Sequence, residues 1–285
     1  MTTLTPQAGG EAIPLVPTYS EGVEDCLVFP QEYSGRTRLA GLAGAALIGV
    51  AGAVLADRVG AQAETLPVLF IGFSFLGGLL STWSPCGYSS LCLLRPVGRH
   101  SRSTLVKYTP TFLLHGAGYG LGAIILGVIL GLTGGLLGLP GASLLTLGVL
   151  GLAGLVYGAH QLGFLRVPYP QRRAQVPHDA RQRFPMWFIG GLYGLSLGLN
   201  YLTYVQTPIL YLVTAAAVAS GNVASAIVLF LAFNTGRFLP MAVNYLPLSD
   251  IAVQNWLARR QESAALLDGG LLIAFGAALL TFAVL

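Results

Sequence analysis

Apolar residues in this chain come in long blocks separated by short polar loops. Seven blocks reach the roughly 20 residues that a bilayer crossing needs. Their limits are 39–57, 66–94, 109–133, 142–165, 185–214, 223–246 and 266–285. The pattern predicts an all-α polytopic membrane protein of about seven transmembrane helices, because a helix satisfies its own backbone in lipid. The acidic residues are expected outside these blocks, and Arg237 is the basic residue that falls well inside one.

The loops alternate sharply in charge. Arg36 and Arg38 precede the first block; Arg95, Arg99, Arg102 and Lys107 follow the second; Arg166, Arg172, Arg173, Arg181 and Arg183 follow the fourth, with Asp179 as their one acid. Arg259 and Arg260 lie between the sixth and seventh blocks, while the intervening loops hold a single basic residue, Arg58. With Arg237 counted alongside Arg259 and Arg260, fourteen of the 15 basic residues share one side. The positive-inside rule makes that side cytoplasmic, with the N-terminus there and the C-terminus on the outer face of the membrane.

Composition agrees: 54% of residues are hydrophobic and 9% charged, against about a quarter charged in soluble domains. Mean hydropathy is +0.70. Residues 1–35 are acidic and contain Pro and Gly, with no basic stretch leading into an apolar core, so no signal peptide is expected and a disordered tail is. The chain divides into that tail with its basic end (1–37), an extra first helix (38–60), a three-helix unit (61–168), a basic loop (169–184) and a second three-helix unit (185–285).

The two units share landmarks. Each begins Phe-Ile-Gly (Phe70–Gly72, Phe188–Gly190), continues Gly-rich and meets a hydroxyl-Pro pair, Ser84-Pro85 or Thr207-Pro208. Their second helices carry His115-Gly116-Ala117-Gly118 and Asn234-Thr235-Gly236-Arg237. Three crossings per unit is odd, so the second copy must be inverted, and paired Pro breaks in inverted halves point to a mid-membrane site. Chance likeness among Gly-rich segments is the alternative.

Ser84-Pro85-Cys86-Gly87 places a helix break and a thiol inside the second block, with Cys92 six positions on. A proline here frees backbone groups that lipid cannot hydrate. Along an unbroken helix Cys86 and Cys92 would stand roughly 10 Å apart, beyond the ~7 Å limit for a disulfide. Three arrangements stay open: an unwound corner with an internal pair, a mixed disulfide between Cys86 and a partner, or no redox chemistry. A helix starting near Pro85 would favour a Cys86 thiolate, and desolvation would oppose it. Cys92 also suits packing as a small hydrophobe. Cys26, in the tail, is incidental.

The stretch Gly78-Leu79-Leu80-Ser81-Thr82-Trp83-Ser84-Pro85-Cys86 is similar to the first-span signature of the CcdA/DsbD family of membrane thiol–disulfide proteins. Residues 147–158 and 232–240 resemble the third and fifth spans of that family. The resemblance implies an inverted-repeat fold with a central cavity shaped by Pro85, Gly87 and Pro208, and electron transfer through one cysteine per repeat. Cys86 matches the first cysteine; Thr207-Pro208-Ile209 stands where the second belongs. The run Trp83–Pro96, the extra first helix and the acidic tail look most like a membrane protein family of bacterial methylamine-utilisation clusters. That narrower resemblance implies inner-membrane maturation of periplasmic methylamine dehydrogenase. Its partners would be a periplasmic thiol–disulfide protein or a dehydrogenase subunit, other methylamine-utilisation membrane proteins and the lipid bilayer. A redox-silent transporter or scaffold of the same fold is the rival.

Among the other polar residues in the blocks are His115, His160, Asn200 and Gln206. Each imidazole is expected to donate one hydrogen bond to a neighbouring helix carbonyl and stay neutral, since no metal set can be assembled around it. Arg237 would line an aqueous cavity or pair with carbonyls at a broken helix, with Asn234 beside it; Asn200 and Gln206 would face the same cavity or join helices. Gly116–Gly120 and Gly190–Gly194 mimic nucleotide-binding loops but follow no strand, so no cofactor is expected. The basic loops suit anionic lipid headgroups, not nucleic acid.

Overall fold

A computed structural model describes residues 33–96, 101–139, 141–168, 170, 183–205 and 207–285, together with β1 (Thr18–Tyr19) and β2 (Leu27–Val28), which pair antiparallel. For Pro85, Cys86, Tyr88, Ser89 and Asp250 it describes the backbone alone. Most of the expected disordered tail, Cys26, Gln206 and most of the 169–184 loop lie outside the described residues.

The protein is an α-helical polytopic membrane protein. The helices are α1 (Gly35–Arg58), α2 (Gln62–Leu80), α3 (Pro85–Leu93), α4 (Arg102–Leu136) and α5 (Leu144–Gln161), then α6 (Met186–Gly198), α7 (Ile209–Ala219), α8 (Val223–Phe238), α9 (Asp250–Arg259) and α10 (Gln261–Val284). Among the described residues, six helical segments are long and apolar enough to cross a membrane, and α6 and α7 are shorter apolar helices. The expected second block is therefore α2, a tight 3-10 turn at Ser81–Trp83 and α3. The expected fifth block is α6 and α7 with an irregular segment between them. Ser34, Ser101, Ser143 and Asn222 each accept a hydrogen bond from the amide three residues on, which fixes where α1, α4, α5 and α8 start.

Glycine contacts fix which helices run together. A Cβ at Gly78 would overlap the Phe233 carbonyl oxygen, and one at Gly236 that of Phe75, so α2 and α8 pack backbone to backbone. Gly118, Gly194 and Gly198 do the same for α4 against α6. Higher residue numbers on α4 meet higher numbers on α6, from Thr111 beside Gly190 to Gly122 beside Gly198, so those two helices are parallel. Gly151, Gly154 and Gly158 meet α10 in descending order, and Gly127, Gly131 and Gly134 meet α8 and the end of α7 likewise, so those pairs are antiparallel. Close small-residue contact is how helices associate where lipid offers no hydrophobic drive.

Helix α1 runs parallel to α10: Arg38 pairs with Glu262 at 2.7 Å near their starts, and Gly49 meets Ala274 further along. The start of α1 and the end of α10 therefore lie at opposite ends of the bundle. Arg36, Arg38, Arg95, Arg102, Lys107, Arg166, Arg183, Arg259 and Arg260 cluster at the end where α1, α4, α6 and α10 begin. Arg58 lies at the other.

Candidate functional site

Several buried polar side chains converge on the break between α6 and α7. A helix that stops inside a membrane leaves its last four carbonyls without partners and the negative end of its dipole exposed to a low dielectric. Here Arg237, 3% exposed in the last turn of α8, meets that end: its Nη1 donates to the Leu197 carbonyl and to Asn200 Oδ1, both at 2.9 Å. Its Nη2 reaches Thr203 Oγ1 at 3.4 Å. Asn234, one turn earlier, donates to the carbonyls of Gly198 and Tyr119, each at 2.9 Å, and accepts from Asn200 Nδ2 at 3.0 Å. Asn200 has φ +53°, the left-handed turn that ends α6; asparagine tolerates it where most side chains do not. Of the two expectations for Arg237, capping at a broken helix is the one observed.

The other end of the break is held by opposite charge. Thr207 Oγ1 accepts from the Ile209 amide at 3.1 Å, capping α7, and donates to Asp268 Oδ1 at 2.5 Å. Asp268 Oδ2 accepts from Gln161 Nε2 at 2.6 Å. A guanidinium therefore faces the carbonyl end of α6 and a carboxylate faces the amide end of α7, each matched to the helix dipole it meets. Asp268 corrects the expectation that acidic residues stay outside the apolar blocks. It lies two turns into α10 and is 3% exposed.

The first break is closed differently. Ser81, Thr82 and Ser84 hydroxyls donate back to the carbonyls of Gly78, Leu79 and Ser81 at 2.6, 2.7 and 2.5 Å. Helix α3 begins at Pro85, where a missing amide costs nothing, and this puts Cys86 at its second position. A Cβ at Gly87 would lie 2.8 Å from both the Ser81 and Thr82 carbonyl oxygens, so only glycine lets α3 fold back onto the turn. The side chains of Pro85 and Cys86 lie outside the described residues. Helix α3 is continuous from Pro85 to Leu93, so the six positions between Cys86 and Cys92 correspond to a rise of about 9 Å. The Cys92 sulfur is half-buried and accepts from Gln254 Nε2 of α9 at 3.8 Å.

The two breaks meet. A cavity of about 220 Å³ at the basic end of the bundle is lined by Ser84 and Thr207 together with Ser81, Trp83, Gln161 and Asp268. Arg38 and Glu262 also line it. Asn234 and Arg237 are not among its lining residues; they secure the far end of the break. Pro208 is buried at the start of α7. Ile209 is fully buried, its side chain filling the space that a Cβ on Gly77 would need.

His115 behaves as expected in part: its Nδ1 lies 2.9 Å from the Gly190 carbonyl, which it meets as a donor. His160 sits at the basic end, where its Nδ1 accepts from the Val167 amide at 3.0 Å and so closes the turn after α5. Among the described residues no group of three His, Cys, Asp or Glu could hold a metal ion. Asp268 and Gln161 are the site residues the sequence reading missed. The signal was there, a carboxylate among Gly, Ala and Leu in the block 266–285.

No family model and no solved structure matches the chain. Several curated proteins do, each described as "Methylamine utilization protein MauF". The chain is 72% identical to that of Methylorubrum extorquens over the whole of both chains. It is 62% identical to that of Paracoccus denitrificans, over 90% of this chain and 91% of the relative. With that of Methylobacillus flagellatus it shares 52% identity over 92% and 93%.

Proposed function

The chain belongs to the MauF family of methylamine utilization proteins, and on that premise we propose that it is an inner-membrane assembly factor for periplasmic methylamine dehydrogenase, acting by thiol–disulfide exchange at Cys86. The observation that carries this reading is the start of α3 at Pro85, beside a polar cavity. Amides in the first turn of a helix stabilise a thiolate, the reactive form of cysteine. In the exchange the Cys86 thiolate attacks one sulfur of a partner's disulfide. A mixed disulfide forms, and the partner's other sulfur leaves as a thiolate and takes up a proton. A second thiol, from a partner or from Cys92 after the start of α3 unwinds, attacks the mixed disulfide and releases one member of the pair.

The architecture fits a CcdA/DsbD-like inverted repeat of α2–α5 and α6–α10. Exchanging the halves turns the α2–α8 contact into the α6–α4 contact, and maps α4–α8 and α5–α10 onto themselves. Both first helices are broken before a proline, at Ser81–Ser84 and at 199–207. The arginine-rich end is the cytoplasmic one in this reading, with the C-terminus in the periplasm.

Cysteine trapping tests the proposal. In a Cys92→Ser protein expressed with the methylamine-utilisation proteins, a Cys86-linked mixed disulfide should accumulate and run as a reducible adduct. Full dehydrogenase maturation in a Cys86→Ala strain would defeat it. Ile209, buried where a relay would need its second sulfur, supports the rival of a redox-silent transporter or scaffold; unimpaired Cys86→Ala maturation is the outcome that rival requires.

A further inference from the structure

We propose that the cavity between the two helix breaks is a binding site for a small primary ammonium cation, with Asp268 as its counter-ion. The proposal does not rest on thiol chemistry at Cys86.

The argument begins with charge. The cavity lining includes two carboxylates, Glu262 and Asp268, and one guanidinium, Arg38. Arg38 Nη2 is committed to Glu262 Oε1 at 2.7 Å, so the Asp268 charge is the one left over in the wall. Its carboxylate accepts hydrogen bonds from two neutral groups, the Thr207 hydroxyl and the Gln161 amide. The amide end of α7 offsets part of the charge, since a helix N-terminus carries the equivalent of roughly half a positive charge. Capping alone does not call for a carboxylate. An asparagine oxygen would accept from Thr207 as well, without the cost of taking a full charge out of water. An ionisable group at this depth points to a function that uses its charge.

The surrounding chemistry selects the cation. Each Asp268 oxygen keeps acceptor capacity beyond its one bond. Ser84 Oγ spends its hydrogen on the Ser81 carbonyl, so its lone pairs remain. The Gln161 amide oxygen completes a set of acceptors for the three N–H donors of a primary ammonium group. Leu80, Leu266, Ala265 and Trp83 supply apolar and aromatic wall for a short alkyl substituent, and an aromatic ring near a cation adds attraction. A water needs on the order of 10–15 Å³ of such space, so a cavity of about 220 Å³ holds a small organic cation with waters to spare.

The test is calorimetric titration of the full chain in lipid nanodiscs at pH 7 and constant ionic strength, with methylammonium as the probe. Saturable binding is expected for methylammonium and not for tetramethylammonium, which has no N–H donor. Affinity should fall at least tenfold in Asp268→Asn. Ala265→Leu narrows the cavity while leaving the carboxylate in place. It should weaken binding as much, and it decides the matter if Asp268→Asn does not fold. Equal binding of methylammonium, tetramethylammonium and sodium would overturn the proposal, as would wild-type affinity in Ala265→Leu or no saturable binding to folded wild-type protein.

Discussion

Arg237 of α8 donates to the Leu197 carbonyl at 2.9 Å, so the last turn of one helix is finished by the side chain of another. An arginine in the hydrophobic part of a membrane protein thereby works as a helix cap. Its fork supplies several donors in a fixed plane, which suits a cluster of carbonyl and amide oxygens better than the point charge of a lysine.

Replacing Arg237 with leucine should be among the most damaging single changes in the bundle. It leaves Asn200 Oδ1 without its donor, at about 1–3 kcal/mol, and takes one donor from the Leu197 carbonyl, which also accepts from the Asn200 amide. Arg237→Lys keeps the charge but loses the fork and should fall between wild type and Arg237→Leu. Thermal unfolding of the three proteins in the same detergent gives the order; a lysine variant as stable as wild type would show that charge alone suffices.

Gly78→Ala should separate α2 from α8, because the added carbon would overlap the Phe233 carbonyl oxygen, a backbone atom that cannot turn aside. Gly120→Ala, on the same kind of apolar helix but with nothing within 4 Å of its Cβ, should be neutral or stabilising by up to about 1 kcal/mol. Comparing the two melting temperatures isolates close packing from helix propensity.

Gly87→Ala should push the first turn of α3 off the Ser81–Trp83 turn, where its Cβ would stand 2.8 Å from two carbonyl oxygens. The cost expected for such overpacking is about 1–3 kcal/mol. In a background with Cys26 and Cys92 changed to serine, the alkylation rate of Cys86 should change with it. An unaltered rate would mean the turn does not set the surroundings of that thiol.

Glu262→Gln should matter little to stability. The Arg38–Glu262 pair is only partly buried, 13% and 17% exposed at its side chains, and pairs near a surface contribute about 0–1 kcal/mol. A melting temperature lowered by more than a few degrees would show that the pair does more than hold α1 beside α10.

Block length and the positions of proline made the bundle legible in the sequence, and the two hydroxyl-Pro pairs marked where its helices break. Where each break lies in space was not legible. The end of α6 depends on Arg237 and Asn234 reaching it from α8, and no spacing along the chain announces which carbonyl a distant arginine will meet. Asp268 was missed for a related reason: its block begins at 266 by hydropathy, but α10 begins at Gln261, five residues earlier. A carboxylate assigned to the edge of a span thus lies two turns within it. Helix α9 escaped notice because its apolar residues are few, yet Val253 and Leu257 are buried and Trp83 Nε1 donates to the Leu257 carbonyl at 3.0 Å.

The segment 199–207 is stitched to α8 at one end, through Asn200 and Asn234, and to α10 at the other, through Thr207 and Asp268. Asn200 and Thr207 thus moor the two ends of one helix break to two different helices, and Thr207 also holds the first amide of α7. The wall that Ser84 and Thr207 share is thereby joined through side chains to α10 as well as to α7.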